Sequence, residues 1–483
     1  MSDNRLPDDR LPDDRTPDSG LLGDKAATAL AGTTPLPAGL RRLVGPYLGR
    51  QRWFAGSGEP GSLDVVDSRL LPSDVAQASL WWAVVEAEGV RYQLLIGQRP
   101  DGEPAEFLSG REGSVLGSDD GSYFYDAALD PELSLGLLAM ISDGAHTAER
   151  VRPITAEQSN TSLVYDDRII LKVFRRLMDG PNPDVEVTVA LASNGFEHVA
   201  HPVAAWRGSV GSSDAPVDLM FAQEFLAGAS EGWALALTSL RDFYSAVVDD
   251  PAESGGDFAS EAGRLGRVTA RMHLSLADIY GVDHSTLAAD GWARLLDDVE
   301  RRLAPVLDAG APALAERAGA VLARLRAVRD PGPAIRVHGD YHLGQVMRTD
   351  TGWYVLDFEG EPARALDDRQ RASSPLKDVT GMVRSLQYAA RFVLRERTDS
   401  ELDRLQVRAD AWEVHNREAF LLGYHSTPDI DGVLPDGEVI DAVAAAYELD
   451  KALYEVDYER AYRPDWVDIP TDAVARIVGR LSS

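Results

Sequence analysis

Cysteine is absent from the 483-residue chain. That excludes disulfides, thiolate nucleophiles and cysteine-ligated metals, and it fits a reducing, cytoplasmic setting. Long apolar runs are missing too: no stretch approaches the length that crosses a bilayer, so no membrane span is expected. Positive charge is scarce, with 48 basic against 78 acidic side chains and a formal charge of −30. A phosphate backbone repels such a chain unless a basic patch is hidden in it. No run of lysine or arginine suggests one, so nucleic acid is not an expected partner. The opening MSDNRLPDDRLPDDR has neither the apolar core of a secretory signal nor the character of a transit peptide.

The length points to two or three domains. Residues 1–36 hold an imperfect repeat, RLPDDRLPDDRTPD, and an Ala/Gly/Thr/Pro stretch, and read as a disordered acidic tail. Residues 37–150 read as a mixed α/β region, in which SLWWAVVEAEG and VRYQLLIGQ form two strands joined at Glu88-Gly89. Residues 151–227 contain the strand-like pieces TSLVYDD, RIILKVFRR and DLMFAQEF, with a helical segment, NPDVEVTVALASNG, closed by a glycine. From 228 to 483 the period is mostly helical. The chain is therefore expected to be α+β, a strand-rich lobe preceding a helix-rich one.

Two polar clusters interrupt the helical part. VHGDYHLGQVM, Val337 to Met347, brings His338, Asp340, His342 and Gln345 together, and VLDFEGE, Val355 to Glu361, carries Asp357 at the end of an apolar run. An Asp followed five residues later by an amide is the arrangement of a phosphotransferase catalytic loop. There the Asp accepts the proton of the attacking hydroxyl, and the amide oxygen and a second Asp ligate Mg²⁺, a cation that takes oxygen donors. Taken singly, Asp340 could cap a turn, the glycines could be loop punctuation, and His342 reads as a packed histidine. The pieces in this order and spacing favour phosphotransfer.

A phosphotransferase also needs a phosphate-binding lysine on an upstream strand. Lys172 lies inside RIILKVFRR, where it either snorkels at an edge or reaches a ligand. Its expected acidic partner is Glu186, with Asp184 the second candidate. Just before it, Ser159, Asn160 and Thr161 of AEQSNTS offer hydroxyls and an amide to phosphates. In LMFAQEF the backbone from Gln223 to Phe225 either meets an adenine edge or ends a buried strand. In YELDKALYEVDYE, Lys451, Tyr454, Glu455 and Tyr458 fall on one helical face. That face suits a sugar, and equally a core face with an internal ion pair.

HGDYHLGQVM, the long stretch from VLDFEGEPARALDDRQ to LQYAA, EQSNTSLVYDDRIILKVFRR and YELDKALYEVDYERAYRPDWVDIP resemble bacterial maltokinases. These belong to the aminoglycoside-phosphotransferase-like branch of the protein-kinase-like fold. The resemblance runs from QRWFAG at Gln51 to the C-terminal IP segment and leaves out the acidic tail. It implies a bilobal fold with an N-terminal cap and intermediate region over 37–150, a kinase-like N-lobe over 151–227 and a helical C-lobe over 228–483. It implies Asp340 as catalytic base, His338 beside the acceptor hydroxyl, Gln345 and Asp357 as Mg²⁺ ligands, and Lys172 with Glu186 at the phosphates of ATP. It makes Lys451, Tyr454 and Glu455 sugar contacts, and the reaction ATP-dependent phosphorylation of maltose at its anomeric hydroxyl. A monomer is expected. The rival acceptor is an amino sugar or an aminoglycoside, handled by relatives with the same catalytic loop. A binding module without activity would have lost Lys172, Asp340, Gln345 or Asp357, and all four are present.

Overall fold

Short apolar runs rich in aromatic and β-branched residues, buried on both faces, turn SLWWAVVEAEG and VRYQLLIGQ into β2 (Ser79–Ala87) and β3 (Val90–Pro100) of a computed structural model that describes residues 32–102, 106–154, 160–213, 215–284, 286–308, 312–361, 364–395, 402–437 and 439–482. The hairpin turn sits at Glu88-Gly89 as expected, with φ of 54° and 76°. Two consecutive left-handed residues give a turn whose twist matches that of the strands. The acidic repeat lies outside the described residues. The segment read as tail is ordered at its end: Thr34 donates to Ser68 O and accepts from Ser68 Oγ, both at 2.8 Å, and Leu36 is buried.

The chain divides into two compact units. The first holds the described residues up to 185 and 201–225, so the region expected as the N-lobe is divided, its residues 186–200 falling in the second unit. Here β2 and β3 join β1 (Asp64–Leu71), β4 (Val115–Asp119), β5 (Ser122–Asp126) and β9 (Arg176–Leu177) in one antiparallel sheet. A second antiparallel sheet runs β10-β11-β8-β7-β6, built from β6 (Val151–Ile154), β7 (Asn160–Tyr165), β8 (Ile169–Phe174), β10 (Pro202–Gly208) and β11 (Val217–Glu224). Helices α1 (Ala38–Leu48) and α2 (Pro131–Ile141) flank them, the latter capped by the Asp130 carboxylate accepting from Glu132 and Leu133 N–H. The two sheets share one buried amide. Gln93 on β3 donates to Phe174 O at 3.0 Å and Leu219 O at 2.9 Å, and accepts from Trp82 Nε1 at 2.8 Å. Gln93→Leu strands an indole N–H and two carbonyls in a dry interior and should cost about 2–5 kcal/mol. Scanning calorimetry checks it, and an unchanged melting temperature would refute it.

The second unit holds 186–200 and residues from 226 onward. Its first piece includes most of α3 (Pro183–Ser193) and a segment in which Val199 bridges Val355 and His198 O accepts from Val355 N–H at 2.8 Å. A small sheet, β12 (Ser230–Glu231), β13 (Val346–Arg348) and β14 (Trp353–Val355), is surrounded by helices. These are α4 (Gly232–Ser245), α5 (Ala259–Tyr280), α6 (Thr286–Asp308), α7 (Pro312–Arg326), α8 (Leu366–Gln370), α9 (Leu376–Leu394), α10 (Leu402–His425), α11 (Ile440–Tyr462) and α12 (Asp468–Ser482). Helices α5 and α10 cross at backbone distance: a Cβ on Gly266 would lie 2.1 Å from Phe420 O. That approach carries Tyr424 to His273, a contact the site depends on. Among the described residues no helix is long and apolar enough to cross a membrane. Strands dominate the first unit and helices the second, the α+β class expected.

Candidate active site

Asp340 stands on a loop that enters β13 through a short 3₁₀ turn, Leu343–Gln345. The loop is hung from one buried carboxylate. Asp378, in the first turn of α9, accepts from His338 N–H at 2.8 Å and from Gly339 N–H at 2.9 Å. Asp378 is itself held by His273 Nε2 at 3.1 Å, and His273 Nδ1 meets Tyr424 Oη at 2.8 Å. Burial alone would raise the Asp378 carboxyl, but the His273 bond and charge, with the backbone donor, hold it below its usual value.

Gly339 has a left-handed φ of 88°, and a Cβ there would meet the Cα of Gly360 at 3.5 Å. The two motif loops therefore touch, and His338 ties them further. Its ring is 1% exposed, its Nε2 contacts Leu356 O at 2.9 Å, and Phe358 lies 4.9 Å from its centroid. Expected beside the acceptor hydroxyl, His338 is instead an internal strut, because both its ring and its N–H face protein.

Gln345 and Asp357 come together: Gln345 Nε2 donates to Asp357 Oδ2 at 3.2 Å, and Leu356 N–H donates to Gln345 O at 2.9 Å. Asp357 adopts a left-handed φ of 64°, a conformation that short polar residues tolerate and that turns the chain sharply after β14. With its amide nitrogen turned to Asp357, Gln345 keeps a carbonyl oxygen for a cation. Two oxygen donors suit Mg²⁺, which keeps waters and substrate phosphates in its shell. Among the described residues no cluster of three or more His, Cys, Asp or Glu could hold a metal, so a cation here would depend on such outside ligands.

Lys451, from α11, reaches the Asp340 loop. Its Nζ lies 2.7 Å from Asp340 Oδ1 and 3.2 Å from Glu361 Oε1, above the ring of Tyr454 at 4.8 Å. Burial opposes charge on all three groups, yet the pairing prevails. Lys451, then His342, hold Asp340 far below the usual carboxylate range; Glu361 is pulled to about 2, and Lys451 is raised. Desolvation pushes His342 down to about 4, with Lys451 adding to it against the opposing pull of Asp340. His342 Nδ1 accepts from Gly344 N–H at 3.0 Å, but its side chain is 35% exposed, so the ring expected to be packed is only partly buried. Glu361 is 2% exposed and clamped by Arg364, which reaches Asp450 at 2.9 Å; Arg302 meets the other Asp450 oxygen at 3.1 Å. Glu455, expected as a sugar contact, ion-pairs with the buried Arg384 and is committed to helix packing. Tyr454 is half-buried beneath the lysine, and its hydroxyl is pushed up to about 12 by burial and then by Asp340 and Glu361.

In the first unit, Lys172 on β8 donates to Asp184 Oδ2 at 2.7 Å. Its partner is thus Asp184, not Glu186. Residues two apart on a helix point about 200° away from each other, so only one of them can face β8. Glu186 lies 3.9 Å from Arg336. Ser159 falls outside the described residues. Asn160 and Thr161 begin β7, and Thr161 Oγ1 accepts from Arg175 Nε at 2.8 Å, so its hydroxyl braces the sheet where a phosphate contact was expected. Gln223 is buried in β11. Glu224 N–H is taken by His201 O at 2.8 Å and Phe225 N–H by Arg168 O at 2.7 Å. Neither N–H is left for an adenine edge, the role expected of this stretch.

Sequence reading missed Asp378, Glu361 and Arg364. Glu361 stood inside a motif already quoted, four residues after Asp357, and Asp378 inside LKDVTG, where a carboxylate in an otherwise apolar helix start was a signal available to see.

The geometry can be set beside known proteins. Residues 150–360 match the family model of the phosphotransferase enzyme family, and residues 47–130 match that of the maltokinase N-terminal cap domain. A glucosamine kinase of Streptacidiphilus jiangxiensis is 30% identical over 342 residues, covering 68% of this chain and 73% of that one. A glucosamine kinase of Mycolicibacterium smegmatis is 26% identical over 354 residues, 71% of this chain and 83% of that one. Among solved structures, a glucosamine kinase in complex with glucosamine, ADP and inorganic phosphate aligns with a TM-score of 0.61 at 24% identity, over 90% of this chain and 98% of that one. The likeness identifies the fold as that of this kinase type.

Proposed function

We propose, from the premise that the chain belongs to the phosphotransferase enzyme family, that it transfers the γ-phosphoryl group of ATP to the anomeric hydroxyl of maltose or a similar neutral sugar. Asp340 is the base that takes the hydroxyl proton, and Lys172, held by Asp184, draws in the nucleotide phosphates. Gln345 and Asp357 would hold Mg²⁺, which when bound adds positive charge at those phosphates.

The neutral acceptor rests on one observation: the Asp340–Glu361 carboxylate pair already has its cation in Lys451. A substrate ammonium placed about 5 Å from that ammonium would meet a repulsion of roughly 3 kcal/mol at an effective dielectric constant near 20, which offsets about that much of the attraction the two carboxylates would exert on it. The match to a maltokinase cap domain supports the same reading.

A second reading, an amino sugar, is favoured by the two glucosamine kinases and by one carboxylate. Glu231 Oε1 lies 3.4 Å from where a Cβ on Gly344 would be, beside the catalytic loop, and burial raises its carboxyl. A coupled ADP-release assay over maltose, glucose, glucosamine and kanamycin, with ³¹P NMR of the product, separates the two. Turnover with maltose and an anomeric phosphate is expected. Turnover with glucosamine alone transfers the assignment to the second reading, and ADP release with none of them removes the sugar-kinase reading.

A further inference from the structure

Asp340 is tied to an ammonium, which is an awkward state for a base. When it takes a proton it becomes neutral, and the half-buried Lys451 loses its nearest anion. The structure supplies a second one. Glu361 Oε1 is only 3.2 Å from the same Nζ, and Arg364, Asp450 and Arg302 fix Glu361 in place behind it. Exposure divides the pair: the Asp340 side chain is 16% exposed and that of Glu361 is 2% exposed. One carboxylate can meet a substrate, while the other faces only its cations.

We propose that Glu361 is a positioning residue for the transfer: it retains Lys451 while Asp340 accepts the hydroxyl proton, so that the base can be neutralised without stranding the ammonium. The inference rests on the reading of Asp340 as base. In the step, the acceptor oxygen bonds to the γ-phosphorus, and the bond from that phosphorus to the β–γ bridging oxygen breaks, its electron pair leaving on ADP. The hydroxyl proton passes to Asp340, and Lys451 stays protonated, moving its main contact from Asp340 to Glu361. The other charges facing this ammonium do not substitute. His338 and His342 on the catalytic loop, Lys377 on α9 and Arg364 are cationic or neutral. Glu455 is engaged by Arg384. Tyr454 lies beneath as a ring.

Lysine is rare in this chain, limited to Lys25, Lys172, Lys377 and Lys451, so [ε-¹³C]lysine labelling of the full chain gives a spectrum simple enough to assign by substitution. Glu361→Gln should lower kcat by roughly 10- to 100-fold with the KM for ATP unchanged, and Glu361→Asp should recover part of the loss. In a Lys451→Met background the same Glu361→Gln change should alter kcat by no more than about 2-fold, because its effect runs through the lysine. The Lys451 ε-CH₂ resonance, identified by its loss in Lys451→Met, should move in Glu361→Gln. An equal loss of kcat in both backgrounds, or a Lys451 resonance that stays in place, overturns the proposal. If no acceptor is turned over, the sugar-kinase reading fails, and the resonance still decides the contact between Glu361 and Lys451.

Discussion

Asp340→Asn should lose turnover by roughly 10²- to 10⁴-fold, the range a positioned general base contributes, while nucleotide binding survives. The substitution preserves shape. Lys451 keeps Glu361 as its anion, so the loop should stay in place and the loss should appear in kcat. Burial works against the Asp340 charge, but Lys451 and His342 prevail, so its folded pKa is depressed and the carboxylate stays ionised throughout the mildly acidic and neutral range. The acid limb of kcat/KM for the wild type is therefore not expected at the usual carboxylate pKa. In Lys451→Met that limb should move up towards it. Steady-state kinetics at saturating acceptor, paired with the ATP-dependent rise in melting temperature, measure both halves. Near wild-type kcat in Asp340→Asn would place the base elsewhere.

Asp378→Ala should be strongly destabilising to the second unit. It leaves His338 N–H and Gly339 N–H without their acceptor in a buried place and strips His273 Nε2 of its partner. Two orphaned amides and a broken buried pair together correspond to about 3–5 kcal/mol. The folded pKa of Asp378 is lowered. Its contribution is thus complete above the unfolded carboxylate pKa of about 3.9 and is lost as pH falls through the lower folded value. The stability gap between wild type and variant should not narrow from neutrality to about pH 5 and should close only in stronger acid. Urea titrations of both proteins across that range test it, and a gap that narrows between pH 7 and 5 would contradict the assignment. Turnover should fall as well, since the same carboxylate sets the direction in which Asp340 points.

What could be read from the chain beforehand is what local pattern dictates. The Glu88-Gly89 hairpin, the strand carrying Lys172, and the order of His338, Asp340, Gln345 and Asp357 all depend on neighbours within a few residues. The misses share a different cause. Choosing between Asp184 and Glu186 required the rotational phase of α3 against β8, which the segment's own sequence leaves open. The face of α11 was found, but Lys451 went to Asp340 and Glu455 to Arg384 because of where a loop and a second helix lie, 111 and 71 residues away in sequence. The interleaved division of the two units, with 186–200 belonging to the second, likewise follows from strand contacts at Val199 that no composition shift announces.

The 111-residue separation between Asp340 and Lys451 also has a consequence in time. A ribosome adding about 5–20 residues per second needs roughly 6–22 s to pass from Asp340 to Lys451. During that interval the emerging chain carries Asp340 and Glu361 without the ammonium that neutralises them. In the unfolded chain those carboxylates are solvated, and burying them together is offset only once α11 brings Lys451 to them.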